Sequence, residues 1–171
     1  MKKQSNRNYK SNDIVMTPFE FAKEIVDYFK PTGRILEPCC GTGNFIKAFE
    51  GCGQNVSTLW CEITKGKDFF DFNEKVDWII TNPPYSLMRK FLEHSMDISD
   101  NVCFLITINH IWTKARLRAI KEKGFGIKEI LMVQEPENFP KFGFQVGVVH
   151  LQRGWKGDIK LNDLKDSQKI I

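Results

Sequence analysis

The chain has 171 residues, 42% of them apolar, with 25 Lys and Arg against 21 Asp and Glu, a net charge of +4 and a pI near 8.8. That length suits one domain with a substantial core; no apolar run is long enough for a membrane span, and residues 1–7 carry basic side chains with no apolar stretch behind them, which excludes a signal peptide. The positive balance suits an anionic partner without requiring one, and Cys39, Cys40, Cys52, Cys61 and Cys103 lack metal-ligand spacing and read as reduced core residues of a cytoplasmic protein, with no metal expected.

Residues 1–12 are polar, with Lys2, Lys3, Arg7 and Lys10, and read as a flexible basic arm, either a solvated tail or a tracker of phosphates. The rest, 13–171, reads as a single catalytic domain without repeats or a linker. Thr17-Pro18 opens a helix, with Thr17 as N-cap and Pro18 at the first helical position. Phe21, Ile25, Tyr28 and Phe29 give it one apolar face, and Lys30–Gly33 stops it.

A short strand, Arg34–Glu37, runs into Pro38-Cys39-Cys40-Gly41-Thr42-Gly43-Asn44 and then a helical pattern through Phe45, Ile46, Ala48 and Phe49. Strand, glycine loop and helix form the first unit of a nucleotide-binding α/β fold. Gly41 and Gly43 let the backbone turn tightly and approach a ligand. Val56–Glu62 is a second strand, and Glu62 at its carboxyl end, about 20 residues past the loop, is placed to accept two ribose hydroxyls. Lys67–Phe72 reads as a further short strand, aromatic and acidic, in which Asp68 could receive an adenine amino group beside a covering ring.

Val76–Ile80 is a buried strand that ends in Thr81-Asn82-Pro83-Pro84-Tyr85. Two prolines forbid helix and ladder pairing, so the chain leaves the sheet as a stiff polar corner. On its own that corner fits a rigid turn around a buried tyrosine as well as a seat for a planar group. Leu87, Phe91 and Leu92 begin the next helix, and Val102–Ile108 is another buried strand. Thr113 caps a basic helix, Lys114–Lys123, whose Lys114, Arg118 and Lys121 share a face that is either solvated or in contact with phosphates. Ile127–Val133 and Val146–Leu151, separated by a loop with Phe139-Pro140 and Phe142, pair as an antiparallel hairpin. Ile159 and Leu161 are placed to add an edge strand.

The order of elements fits a mostly parallel sheet of seven strands with a reversed final strand. The loop has no P-loop lysine and lacks the third glycine of a dinucleotide fingerprint. Two glycines, a ribose-grade acid, an adenine-grade acid and a Pro-Pro corner suit S-adenosylmethionine better. With these residues in hand the chain resembles the adenine-specific (N6-adenine) DNA methyltransferases of restriction–modification systems, in the class whose cofactor motifs precede an Asn-Pro-Pro-Tyr. The resemblance runs over residues 16–153 through Thr17-Pro18, Leu36-Glu37-Pro38, Gly41-Thr42-Gly43, Glu62, Asp68-Phe69, Asn82-Pro83-Pro84-Tyr85 and Phe139-Pro140. It implies a Rossmann-like α/β methyltransferase fold, with Thr17 and Glu37 at the methionine end of the cofactor, Pro38, Gly41 and Gly43 in its loop, Glu62 at its ribose, and Asp68 and Phe69 at its adenine.

Asn82 and Pro83 would then accept the two N–H groups of an adenine amine through the amide oxygen and the backbone carbonyl, with Pro84 stiffening the corner. Tyr85 would stack on the base and Phe139 cover its other face. DNA is the expected partner ahead of RNA. Many relatives carry a large C-terminal target-recognition domain; its expected absence here leaves sequence selection relaxed or supplied by a separate partner or by self-association. An RNA adenine or protein glutamine-amide methyltransferase, or a non-catalytic binding module, are the alternatives.

Overall fold

A computed structural model describes residues 14–53, 55–137, 139–140 and 143–165; the basic arm and Phe142 lie outside them. The elements are α1 (Phe19–Phe29), β1 (Gly33–Glu37), α2 (Asn44–Glu50), β2 (Val56–Trp60), β3 (Val76–Thr81), α3 (Met88–Ile98), β4 (Ser99–Thr107), α4 (Lys114–Glu122), β5 (Phe125–Met132), β6 (Val146–Arg153) and β7 (Lys160–Asp163). They build one sheet in the order β2-β1-β3-β4-β6-β5-β7. Neighbours pair in parallel except on both sides of β6, which is the one reversed strand among the described residues.

Successive strand residues point to opposite faces, and the core divides accordingly. Val102, Phe104 and Ile106 of β4 join α3 residues Phe91, Leu92 and Met96 on one face. Cys103 and Leu105 join Phe21 and Ile25 of α1 and Phe45 and Phe49 of α2 on the other. The result is a three-layer α/β/α sandwich. No helix among the described residues is long and apolar enough to cross a membrane.

Two elements differ from the sequence reading. Residues 67–72 form no strand: Asp68 accepts a hydrogen bond from the Phe70 amide at 3.0 Å and caps a 3-10 turn, Phe69–Asp71. The seventh strand is instead β7, the edge strand anticipated at Ile159 and Leu161, so the reversed strand is sixth in chain order and β2 ends the sheet. Thr17 is not a helix cap either. Pro18 occupies that position with no side-chain capping bond, because the Thr17 hydroxyl is engaged elsewhere.

From β1 the chain moves outward to β2, then returns to place β3 on the opposite side of β1. This reversal opens a crevice between the carboxyl ends of β1 and β3, the usual ligand position in an open α/β sheet.

Candidate active site

The glycine loop leaves β1 through a tight turn closed by the Gly43 amide donating to the Cys40 carbonyl at 2.7 Å. Gly41 and Gly43 have φ of +48° and +83°, a region that side chains disfavour. A Cβ on Gly41 would also lie 2.6 Å from Met16 Sδ, so the segment before α1 rests directly on the loop. Glu62 fastens the loop from the far side: one carboxylate oxygen accepts the Gly41 amide at 2.8 Å, the other the Thr64 amide at 3.1 Å and hydroxyl at 2.8 Å. Partial burial opposes its charge, but the bonds from Thr64 and Gly41 and the nearby Lys65 ammonium outweigh this and hold the carboxyl below its ordinary range.

Glu37, at the end of β1, is 1% exposed. Its Oε1 accepts from the Thr81 hydroxyl and from the Cys39 amide at 3.2 Å, while its buried Oε2 has no hydrogen-bond partner. Burial pushes its pKa up to about 8, against the lowering effect of those donors, so in this state it is mostly a neutral acid at pH 7. An orphaned buried oxygen of this kind is costly unless a partner arrives. Glu37 lines a cavity together with Val15, Met16, Thr17, Gly41 and Asn82.

Asn82 begins the corner after β3. Its amide nitrogen donates to the Val15 carbonyl at 3.2 Å and to the Thr17 hydroxyl at 3.3 Å. A carbonyl can only accept, so the nitrogen must face Val15, and the side-chain oxygen is the atom left to present. Asn44 donates to the Thr17 carbonyl at 2.8 Å and fixes that segment in turn. The Cys39 thiol lies 3.4 Å from the Asn82 carbonyl. Pro83 is buried and Pro84 half-buried, with the Pro84 carbonyl accepting from the Leu87 amide at 3.0 Å to form the turn Tyr85–Leu87. Tyr85 is half-buried, its ring 5.1 Å from that of His110. Burial raises its phenol to about 12 despite a hydrogen bond with the Thr107 backbone.

The structure brings Thr17, Glu37, Gly41 and Asn82 around one cavity, with Pro38 buried beneath the loop. Asp68 lines a neighbouring groove with Trp60 and Lys67 instead. The Phe69 side chain is 2% exposed, enclosed by Phe70, Phe91 and His94. Phe139 is buried against Phe21 in the core beside α1. Exposed apolar side chains at this end of the sheet include Ile63, next to Glu62, together with Trp112 and Phe144. None was singled out from sequence. The signal available was position alone: each sits in a short connection following the carboxyl end of a strand or leading back into the sheet.

No family model matches the chain. The type II methyltransferase M.VspI of Vibrio sp. (strain 343) is 28% identical over 111 residues, which cover 47% of this chain and 27% of that protein. The match thus spans about a quarter of the length of that curated relative. Among solved structures, the type IIG restriction endonuclease BpuSI superposes with a TM-score of 0.68 at 16% identity, over 92% of this chain and 28% of that one. A Pyrococcus horikoshii protein described as an RNA methyltransferase gives 0.60 at 19% identity, over 81% of this chain and 86% of that one. At these identities the likeness is one of fold, and the fold is that of the S-adenosylmethionine-dependent methyltransferases.

Proposed function

We propose that the chain is an S-adenosylmethionine-dependent methyltransferase that acts on the exocyclic amine of adenine in DNA. The observation that carries this reading is the fixed orientation of Asn82, whose amide nitrogen is taken up by Val15 and Thr17 so that its oxygen remains to accept. An amine conjugated to a purine ring is a poor nucleophile because its lone pair is delocalised. Two acceptors, the Asn82 oxygen and the Pro83 carbonyl, draw its two N–H groups out of conjugation and free the lone pair.

The cavity and the loop beside it suit the cofactor on three counts. The Glu37 Oε2, buried and unpartnered, is a seat for an ammonium group. The glycine loop offers open space at Gly43, where an added Cβ would meet nothing within 4 Å. Glu62 stays ionised, with acceptor capacity beyond the bonds it already makes, for ribose hydroxyls. When bound, the cofactor supplies an electrophilic methyl group on a sulfonium. The chain's own part is alignment, which in favourable cases lowers a barrier by about 7–11 kcal/mol, and carbonyl dipoles aimed at the amine as it becomes positive.

Once methylated, the nitrogen is acidic, and its proton needs no strong base. Tyr85 supplies one stacking face for the base. Phe144, 62% exposed in the same loop as the buried Phe139, is placed to supply another. Extruding a base from a duplex costs a few kcal/mol, and aromatic stacking worth about 1–3 kcal/mol per base offsets it.

Sequence likeness to a type II methyltransferase supports DNA ahead of RNA. The test is incubation with methyl-labelled cofactor and, separately, adenine-containing DNA, adenine-containing RNA and a cell protein extract, with products identified by mass. N6-methyladenine in the DNA is expected. Label confined to RNA or to protein overturns the substrate assignment.

A further inference from the structure

We infer that the exposed face of α4, with Trp112 at its head, carries the sugar–phosphate backbone of the DNA beside the acceptor base. The inference rests on the DNA reading above and extends it to a surface outside the cavity. Lys114, Arg118 and Lys121 recur at four and three residues, which places them within an arc of about 60° on a helix of 3.6 residues per turn. Leu117, also exposed, borders the same arc. Ile120 is the helix's buried anchor, and Arg116 turns away from the stripe to donate to the His110 carbonyl.

The charges on this face are uncompensated. Among the described residues Lys23, Arg34, Arg89, Lys123 and Arg153 each hold an acidic partner within 4.0 Å, whereas Lys114, Arg118 and Lys121 hold none. Glu122, the helix's sole acid, follows Arg118 by four residues at the border of the stripe and forms no ion pair with any of the three. Three neighbouring cations without counter-charges repel one another and gain from an anionic polymer. From Lys114 to Lys121 the helix rises about 10 Å, which corresponds to about three phosphates along one DNA strand at about 3.4 Å of axial rise each.

The position suits the corner. β4 pairs alongside β3, and the 3-10 turn Ile108–Trp112 leads from the end of β4 into α4. His110 in that turn packs on Tyr85, and Trp112, 45% exposed, follows two residues later. Phosphates engaged by α4 therefore belong to nucleotides near the one held at Asn82, and Trp112 stacks on a flanking base.

Salt dependence separates the two kinds of contact. Each phosphate neutralised on duplex DNA contributes about 0.9 to the slope of log affinity against log salt, so the triple variant K114Q/R118Q/K121Q should lower that slope by about 2.7. Trp112→Ala removes no charge and should weaken binding roughly tenfold at every salt concentration, leaving the slope unchanged. Duplex binding is read by fluorescence anisotropy between about 50 and 200 mM salt, with cofactor affinity measured by calorimetry as the control for an intact cavity. Gln is close to Lys and Arg in helix propensity and all three sites are exposed, so the melting temperature of the triple variant should not move. Wild-type binding with a slope that the triple substitution leaves unchanged overturns the role of α4 while leaving the DNA reading standing. Wild-type protein that binds no duplex yet methylates RNA or protein overturns the DNA reading itself, and this inference with it.

Discussion

Glu37 offers a prediction whose size follows directly from its surroundings. Burial raises its carboxyl from the ordinary 4.5 to about 8, so between these values the folded chain holds a proton that the unfolded chain has released. Stability then falls with rising pH, at up to about 1.4 kcal/mol per unit. The stability that the neutral acid allows is fully present below pH 4.5 and is lost as the pH climbs through 8. Over the whole interval the loss approaches about 5 kcal/mol, a large share of the stability of an ordinary domain. Glu37→Gln removes the titration, keeps the oxygen that accepts from Thr81 and the Cys39 amide, and places an amide where an unpartnered oxygen now lies. Urea unfolding of both proteins at a series of pH values between 4.5 and 8.5 isolates Glu37, because every other group titrates in both. The two should be close at the acid end, with the variant progressively the more stable toward pH 8. A difference that stays constant across the range would refute the buried, neutral Glu37. If an ammonium group docks on this acid, cofactor binding near pH 7 should also release close to one proton, visible as a buffer-dependent heat in calorimetry.

Four further variants test the rest of the site. Asn82→Ala should lower kcat by about 100-fold or more, and Thr17→Val, which removes one of two acceptors from the Asn82 amide, should lower kcat roughly fivefold; full turnover in the alanine variant would end the corner mechanism. Glu62→Ala deletes a turn cap and the Gly41 tether, so calorimetry should show weakened cofactor binding and urea unfolding a loss of about 1 kcal/mol; unchanged affinity removes Glu62 from the cofactor site. Gly41→Ala forces a side chain into φ +48° and against Met16, at about 1–2 kcal/mol for the backbone alone, and should displace the segment before α1. An unaltered melting temperature would contradict that contact.

The fold was legible where neighbouring residues agree. Val102–Ile106 can only be a strand buried on both faces, and Gly41 and Gly43 fall where the chain must turn with positive φ. The corner was legible because its chemistry is contiguous, from Asn82 to Tyr85. What stayed hidden depends on partners distant in sequence. Three phenylalanines in Phe69–Phe72 satisfy neither a strand nor a helix period, and the Asp68 cap settles the segment as a turn. A phenylalanine is equally apolar in a core or at a surface, so packing alone separates the buried Phe69 and Phe139 from the exposed Phe144. Thr17 carries a strong helix-cap signal, yet its hydroxyl goes to Asn82, 65 residues away.

That last exchange explains how the two halves of the site are joined. The segment Val15–Thr17 forms one wall of the cavity that Glu37 lines, and the same segment fixes the Asn82 amide. On the opposite side Thr81, the residue before Asn82, donates to Glu37, and Cys39 lies against both Glu37 and the Asn82 carbonyl. Any movement that loosens the strap before α1 therefore opens the cavity and frees Asn82 to rotate at the same time. In the proposed reading, a ligand that draws the strap down onto the glycine loop holds the Asn82 oxygen where it can accept the amine N–H. The proposed cofactor cavity and the orientation of Asn82 thus depend on one set of contacts.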